Sequence, residues 1–171
     1  MIDICKNKNE NINFVISDFT DYISSQKYDL ITLTCDTLNH VLEESKLKTL
    51  FSNIYKMLNE DGYLIFDIYD KDKLSLNCDI VSSRENNIDV HFYITEKENL
   101  LINTNVKVNQ NNELKYECNI LEKLYDIEYI KSLLLKYNFE VIQAKGSILN
   151  EKQRFEDKLY VICRKNYKKE G

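Results

Sequence analysis

Asp18 and Phe19 closely follow the apolar run INFVI (12–16). In open α/β sheets ligands sit outside the carboxyl ends of strands. A carboxylate there can accept hydrogen bonds from a ligand while the neighbouring ring supplies apolar surface. The same Asp18 can also cap a helix beginning near Phe19, its oxygen accepting a backbone N–H. Thr34, Cys35 and Asp36 end a second run, YDLITLT (28–34), and Asn39 and His40 come next. His40 is the candidate general base, because imidazole has an unperturbed pKa near ~6.5. Asn39 and His40 can equally cap the helix that follows. Asp67 and Asp70 flank the end of YLIFDIY (63–69). Two carboxylates suggest acid/base work, but Asp67 lies inside a strand and Asp70 opens the charged turn DKDK (70–73). Tyr69, Tyr93 and Tyr116 could line an aromatic pocket, although tyrosine also suits strands as such. His91 sits on an alternating strand and reads as a sheet residue.

What is missing narrows the chemistry. The chain has 171 residues, with 3 glycines (Gly62, Gly146, Gly171) and no proline. Loops that cradle phosphates with closely spaced glycines are therefore excluded, and a dinucleotide-dependent oxidoreductase is disfavoured. Cys5, Cys35, Cys78, Cys118 and Cys163 form no CxxC pair and have no histidine close by, so no structural metal is expected. Each cysteine reads as a small buried hydrophobe in a reducing, cytoplasmic setting. The net charge of −5 argues against nucleic acid as a partner. The basic tail RKNYKK (164–169) reads as a solvated end. No apolar stretch approaches the ~18 residues a membrane span needs, and the first residues lack a secretory pattern. A small-molecule or protein partner fits this composition best.

The elements that must position these residues follow from periodicity. Residues 1–9 read as the end of a helix, and 12–16 as a short strand. The nearly continuous apolar run 28–34 predicts a central strand covered on both faces. Leu47, Leu50, Phe51, Ile54 and Leu58 form one helical stripe. NEDG then turns the chain into the buried strand 63–69, giving a strand–helix–strand unit with a parallel pair. From 77 to 124 apolar and polar residues alternate between short polar turns, an antiparallel meander with one wet face. Ile127, Ile130, Leu133, Leu134 and Tyr137 mark another helix. FEVIQA (139–144) and KLYVICRK (158–165) follow, the last strand running antiparallel. The chain reads as a single α/β domain, 1–171, with a β-rich insertion at 77–124.

This order of elements resembles a class I S-adenosylmethionine-dependent methyltransferase. VISDFTDY (15–22) resembles its third strand and acidic turn, and YDLITLTCDTLNHV (28–41) its fourth strand and following loop. LNEDGYLIFDIYD (58–70) resembles the fifth strand, and KYNFEVIQA (136–144) with KLYVICRK the closing hairpin. The meander resembles the insertion that small-molecule members carry after the fifth strand. The resemblance implies a Rossmann-like sheet, mostly parallel with its last strand antiparallel, and S-adenosyl-L-methionine as cofactor. It implies that Asp18 and Phe19 take the adenine and that Thr34, Cys35 and Asp36 pass beneath the methionine. Asn39 and Tyr69 would then face the substrate, and His40 would serve as base if the acceptor must lose a proton. Family members begin with a glycine-rich loop and an acidic second strand. MIDICKNKN aligns after both, so the sequence lacks the first βαβ unit of the pattern, and weak or no cofactor binding by the chain alone is expected. Two other readings stay open. One is a catalytically inert relative that works as a binding partner or self-associates through an exposed sheet edge. The other is an unrelated α/β ligand-binding module with an antiparallel lid.

Overall fold

Leu47, Leu50, Phe51 and Ile54 recur at helical spacing, and all four are buried on one face of α2 (Glu44–Met57). That stripe packs on a four-stranded sheet in the computed structural model, which describes residues 2–8, 11–77, 79–84, 87–146 and 157–166, the 79–84 stretch as backbone only. The sheet runs in the order β1 (Tyr28–Leu33), β2 (Leu58–Tyr69), β8 (Lys158–Lys165), β7 (Phe139–Lys145). β1 and β2 are parallel, linked through α2, whereas β8 runs antiparallel to both β2 and β7. Helix α3 (Ile127–Lys136) buries Ile130, Leu133 and Leu134, and Asp126 caps it by accepting the Glu128 N–H at 2.8 Å. One core joins α2, α3, Leu64, Phe66, Ile68, Phe139 and Val161.

The meander forms as expected. β3 (Asp79–Arg84), β4 (Ile88–Glu96), β5 (Leu101–Gln110) and β6 (Glu113–Lys123) make a second, wholly antiparallel sheet. Its inner face adds a small cluster of Leu74, Ile94, Ile102 and Leu124, against which Tyr69 packs. Tyr69 thus sits where the two sheets meet.

Three expectations are corrected. Residues 12–16 form no strand, and no described strand offers them a ladder of hydrogen bonds, without which an apolar run has no reason to stay extended. β1 is not central: among the described residues it pairs with β2 alone, and Leu30 is 52% exposed. NEDG is not a separate turn but lies within β2, where the pairing with β1 shifts register between Tyr28 and Leu30. At that irregularity a Cβ on Gly62 would stand 2.9 Å from the Asn59 carbonyl, a backbone approach only glycine allows. No βαβ unit precedes β1 among the described residues. The short helix α1 (Ile2–Lys8) buries nothing.

Candidate active site

Three elements meet at one place: the ends of β1 and β2 and the start of β8. β1 leaves its sheet through Cys35 and Asp36, both with left-handed backbone (φ 61° and 52°), followed by a 3-10 turn, Thr37–His40. Two successive non-glycine residues at positive φ are uncommon and cost energy, a pattern that collects at functional sites. The strain is held by anchors on every side. The Asp36 N–H donates to Asp67 Oδ2 at 2.8 Å, and the Thr37 hydroxyl donates to the Thr34 carbonyl at 2.6 Å. Asn39 is completely buried; its Nδ2 donates to the Lys123 carbonyl at 2.7 Å, and its Oδ1 accepts the Tyr69 N–H at 3.2 Å. One amide therefore ties the turn to both sheets.

The charges at this point are concentrated. Lys158 Nζ lies 2.5 Å from Asp36 Oδ1 and 3.1 Å from Asp67 Oδ2, all three side chains largely shielded. Burial works against the Lys158 charge, but the two carboxylates outweigh it and its pKa is raised. The same ammonium sits 5.1 Å from the centre of the Tyr69 ring. Burial first, then the Glu122 and Asp36 charges, push the Tyr69 hydroxyl well above its usual range. Glu122 reaches in from β6 with 2% of its surface exposed. Its Oε2 accepts the Thr104 hydroxyl at 3.0 Å, while its Oε1 has no partner. Burial is the main cause that raises the Glu122 pKa to about 7, with Asp36 adding to it and Thr104 and Lys158 opposing. Atoms of Asp36, His40 and Glu122 lie within 4.8 Å of one another.

His40 is exposed and lines a cleft of about 260 Å³ together with Asp18, Phe19 and Lys46. Asp18 Oδ1 accepts both the backbone N–H and the hydroxyl of Thr20, at 2.9 and 2.7 Å, and Oδ2 meets Lys46 at 3.0 Å. The Thr20 bonds first, then Lys46, hold the Asp18 carboxyl at about 2. Asp18 thus closes a turn rather than capping a helix. Phe19 also borders a larger apolar groove of about 400 Å³, lined by Val15, Tyr22, Leu30, Leu33 and Ile54 along β1.

The turn after β1 brings Asp36, Asn39, His40 and Tyr69 together, with Asp18 and Phe19 across the cleft. Thr34 and Cys35 are exposed at the strand end. The cap expected of Asn39 and His40 does not form: α2 begins at Glu44, and Asn39 holds the sheets together instead. The cysteines are not uniformly buried. Cys163 is, with its thiol pushed up to about 12 by burial, but Cys35 is exposed, Cys5 and Cys118 are half-buried, and Cys78 lies outside the described residues. The end of the basic tail, 167–169, lies outside them as well. Tyr93 and Tyr116 are largely exposed and stand apart from the cluster, and His91 is on β4. Asp70 caps its own turn, accepting the Asp72 N–H at 3.2 Å. Sequence reasoning misses Glu122, Lys158 and Thr104. The one signal for Glu122 is its parity, which it shares with Ile120 and Leu124.

Comparison with known proteins places the fold. No protein-family model matches the chain. A protein of Geobacillus sp. (strain WCH70), named provisionally as a methyltransferase, is 27% identical over 152 residues, 82% of this chain and 60% of the relative. An S-adenosylmethionine-dependent methyltransferase from Clostridium acetobutylicum ATCC 824 superimposes with a TM-score of 0.75 at 21% identity, over 90% of this chain and 64% of that one. An amino pentose methyltransferase from Micromonospora echinaspora, solved with S-adenosylmethionine bound, gives 0.78 at 9% identity, over 96% and 69%. This is the class I S-adenosylmethionine-dependent methyltransferase fold. A sugar N-methyltransferase from Streptoalloteichus sp. ATCC 53650 shares it, with a TM-score of 0.74 at 9% identity, over 97% and 67%. The chain spans less than two thirds of the length of the Geobacillus and Clostridium methyltransferases. Among the described residues no helix is long and apolar enough to cross a membrane.

Proposed function

We propose that this chain takes part in methyl transfer from S-adenosylmethionine to a small-molecule acceptor. The observation that carries the reading is the strained turn after β1, anchored by Asp67 and Asn39, with an acidic cluster on one side and the Asp18–Phe19 cleft on the other. The residues present fit one side of the cofactor. Phe19 and the apolar groove suit a flat aromatic base, and the backbone of Thr34, Cys35 and Asp36 suits the amino-acid end. Asp18 can accept an exocyclic amine only by sharing the oxygen that now meets Lys46. With 3 widely separated glycines the chain supplies no glycine-rich loop for the other side, so the grip is partial. When bound, the cofactor supplies an electrophilic methyl group. The chain's own task is to align the acceptor, exclude water and remove a proton.

Calorimetric titration of the 171-residue chain with S-adenosylhomocysteine tests this. Weak binding, weakened further by Phe19→Ala, is expected. Absence of heat at millimolar ligand overturns the reading for this chain. It favours the second one, an inert relative that pairs through the open edge of β1, which the exposure of Leu30 and Val15 supports.

A further inference from the structure

Glu122 is a buried carboxyl with one satisfied oxygen and one orphan. Leaving a buried charged acceptor without a donor is costly, so such an oxygen calls for a partner. Charged and polar groups face it from every element packed around it. The turn after β1 presents Asp36, the 3-10 turn His40, β2 Asp67 and Tyr69, β5 Thr104, and β8 Lys158. Thr104 serves Oε2. Lys158 is held between Asp36 and Asp67. Asp36 faces Glu122 and is itself an acceptor, so the two carboxyl groups can bond each other only by sharing a proton. Three carboxyl groups thus stand near one lysine, so Glu122 carries its charge only with a proton or a cation beside it. Three atoms no more than 4.8 Å apart always have a point within about 2.8 Å of all of them, the length of a charge-assisted N–H···O bond. Of the three residues, His40 is the one that also lines the cleft.

We propose that Glu122, Asp36 and His40 form a site for the protonated amine of the methyl acceptor, and that the orphan oxygen of Glu122 takes its proton. This rests on the methyl-transfer reading and names its substrate class. In the step, one N–H bond of the ammonium breaks and an O–H bond forms at Glu122 Oε1. The electron pair of the broken bond stays on nitrogen, which becomes a neutral nucleophile, and Glu122 becomes a neutral acid. A carboxyl with a pKa of about 7 suits that exchange at neutral pH. His40 then lines the entrance and receives the displaced hydrogen bond. A divalent cation fits less well, because the Lys158 ammonium 2.5 Å from Asp36 repels two charges more strongly than one.

The probe is cyclohexylamine, cationic below about pH 10, with cyclohexanol as its neutral shape match. In chain labelled with carboxyl-13C glutamate, the Glu122 resonance is followed by NMR through its titration near pH 7. Cyclohexylammonium is expected to move that midpoint down by about one pH unit and to bind about tenfold more tightly than cyclohexanol. Glu122→Gln, which keeps the shape and an acceptor for Thr104, should lose the preference. Glu117→Gln, on the exposed part of β6, should keep it. Glu122→Asp guards against a fold defect in the glutamine variant and should retain part of the preference. An unmoved midpoint, or equal binding of amine and alcohol, overturns the proposal and leaves a structural acid sharing a proton with Asp36. A midpoint that responds to Mn2+ and not to the ammonium overturns it in favour of a metal site. S-Adenosylhomocysteine binding, measured on the same samples, separates the two readings. If it fails while the ammonium effect holds, methyl transfer falls and the cation site stands.

Discussion

At Glu122 burial and the facing Asp36 carboxylate act in the same direction, favouring the protonated form in the folded chain. The consequence for stability has a definite sign. In the unfolded chain the group ionises near its ordinary value of 4.5, and in the folded chain near 7. Its favourable contribution is therefore complete below about pH 4.5 and is lost as the pH rises through about 7. Glu122→Gln removes the ionisation. Urea denaturation should find the variant and the parent about equally stable at pH 4.5, and the variant more stable by ~3 kcal/mol at pH 8.5. Equal stability at both pH values would mean that the carboxyl is hydrated after all. Lys158 works in the opposite sense, since among the described residues it alone is ion-paired with Asp36 and Asp67. Lys158→Met should cost about 3 kcal/mol at pH 8, because breaking a buried ion pair strands the remaining charges. The loss should be largely repaired by adding Asp67→Asn. If the double variant is as unstable as the single one, the lysine's role is packing.

Among the elements, the joint between the two sheets depends on one buried amide. Asn39 bonds the Lys123 carbonyl at the end of β6 and the Tyr69 N–H at the end of β2. Asn39→Ala leaves both backbone groups without a partner in a dry interior, which should cost about 2–4 kcal/mol. Hydrogen exchange at the Tyr69 amide should accelerate in the variant, while the amides of α3 change only with global stability. An unchanged Tyr69 rate would place the joint elsewhere, for instance in the Tyr125 hydroxyl that donates to the Val41 carbonyl. Part of this architecture is legible in the residues alone. Alternation between 88 and 123 predicts the antiparallel insertion, and the Leu47–Ile54 stripe predicts α2, because both periods follow directly from which face is buried. The same logic misjudges 28–34. An apolar run reports how readily a strand is buried, not which strands lie beside it, so β1 reads as central although among the described residues it pairs with β2 alone. INFVI fails for the same reason, having strand character but, among the described residues, no strand to pair with. At the site, the residues clustered after β1 are legible because strand ends gather ligands in this class of sheet. Glu122 and Lys158 are not, because they arrive from β6 and β8, through pairings between distant parts of the chain that no local pattern displays.

For the whole molecule, the open side of β1 decides how the chain behaves in solution. Among the described residues its outer edge has no partner, and Leu30, Val15 and Ile16 are 52, 49 and 82% exposed beside the groove of about 400 Å³. An unpaired edge with apolar neighbours is a template for another strand, and apolar groove walls add a driving force of ~25 cal/mol per Å² covered. The chain should therefore associate as its concentration rises, seen as a growing sedimentation coefficient. Leu30→Lys should suppress association, since a charge on an edge resists pairing. It should leave stability within ~0.5 kcal/mol, because the side chain is half in water already. The groove also borders Phe19, where the proposed cofactor's base would rest, so the two uses of this surface compete. S-Adenosylhomocysteine should then shift the population toward monomer, by an amount fixed by its affinity for the free groove. Association that ignores both Leu30→Lys and the ligand would place the contact on another face. A monomer at every concentration would mean that the edge is protected in isolation, and that the groove is left to the ligand alone.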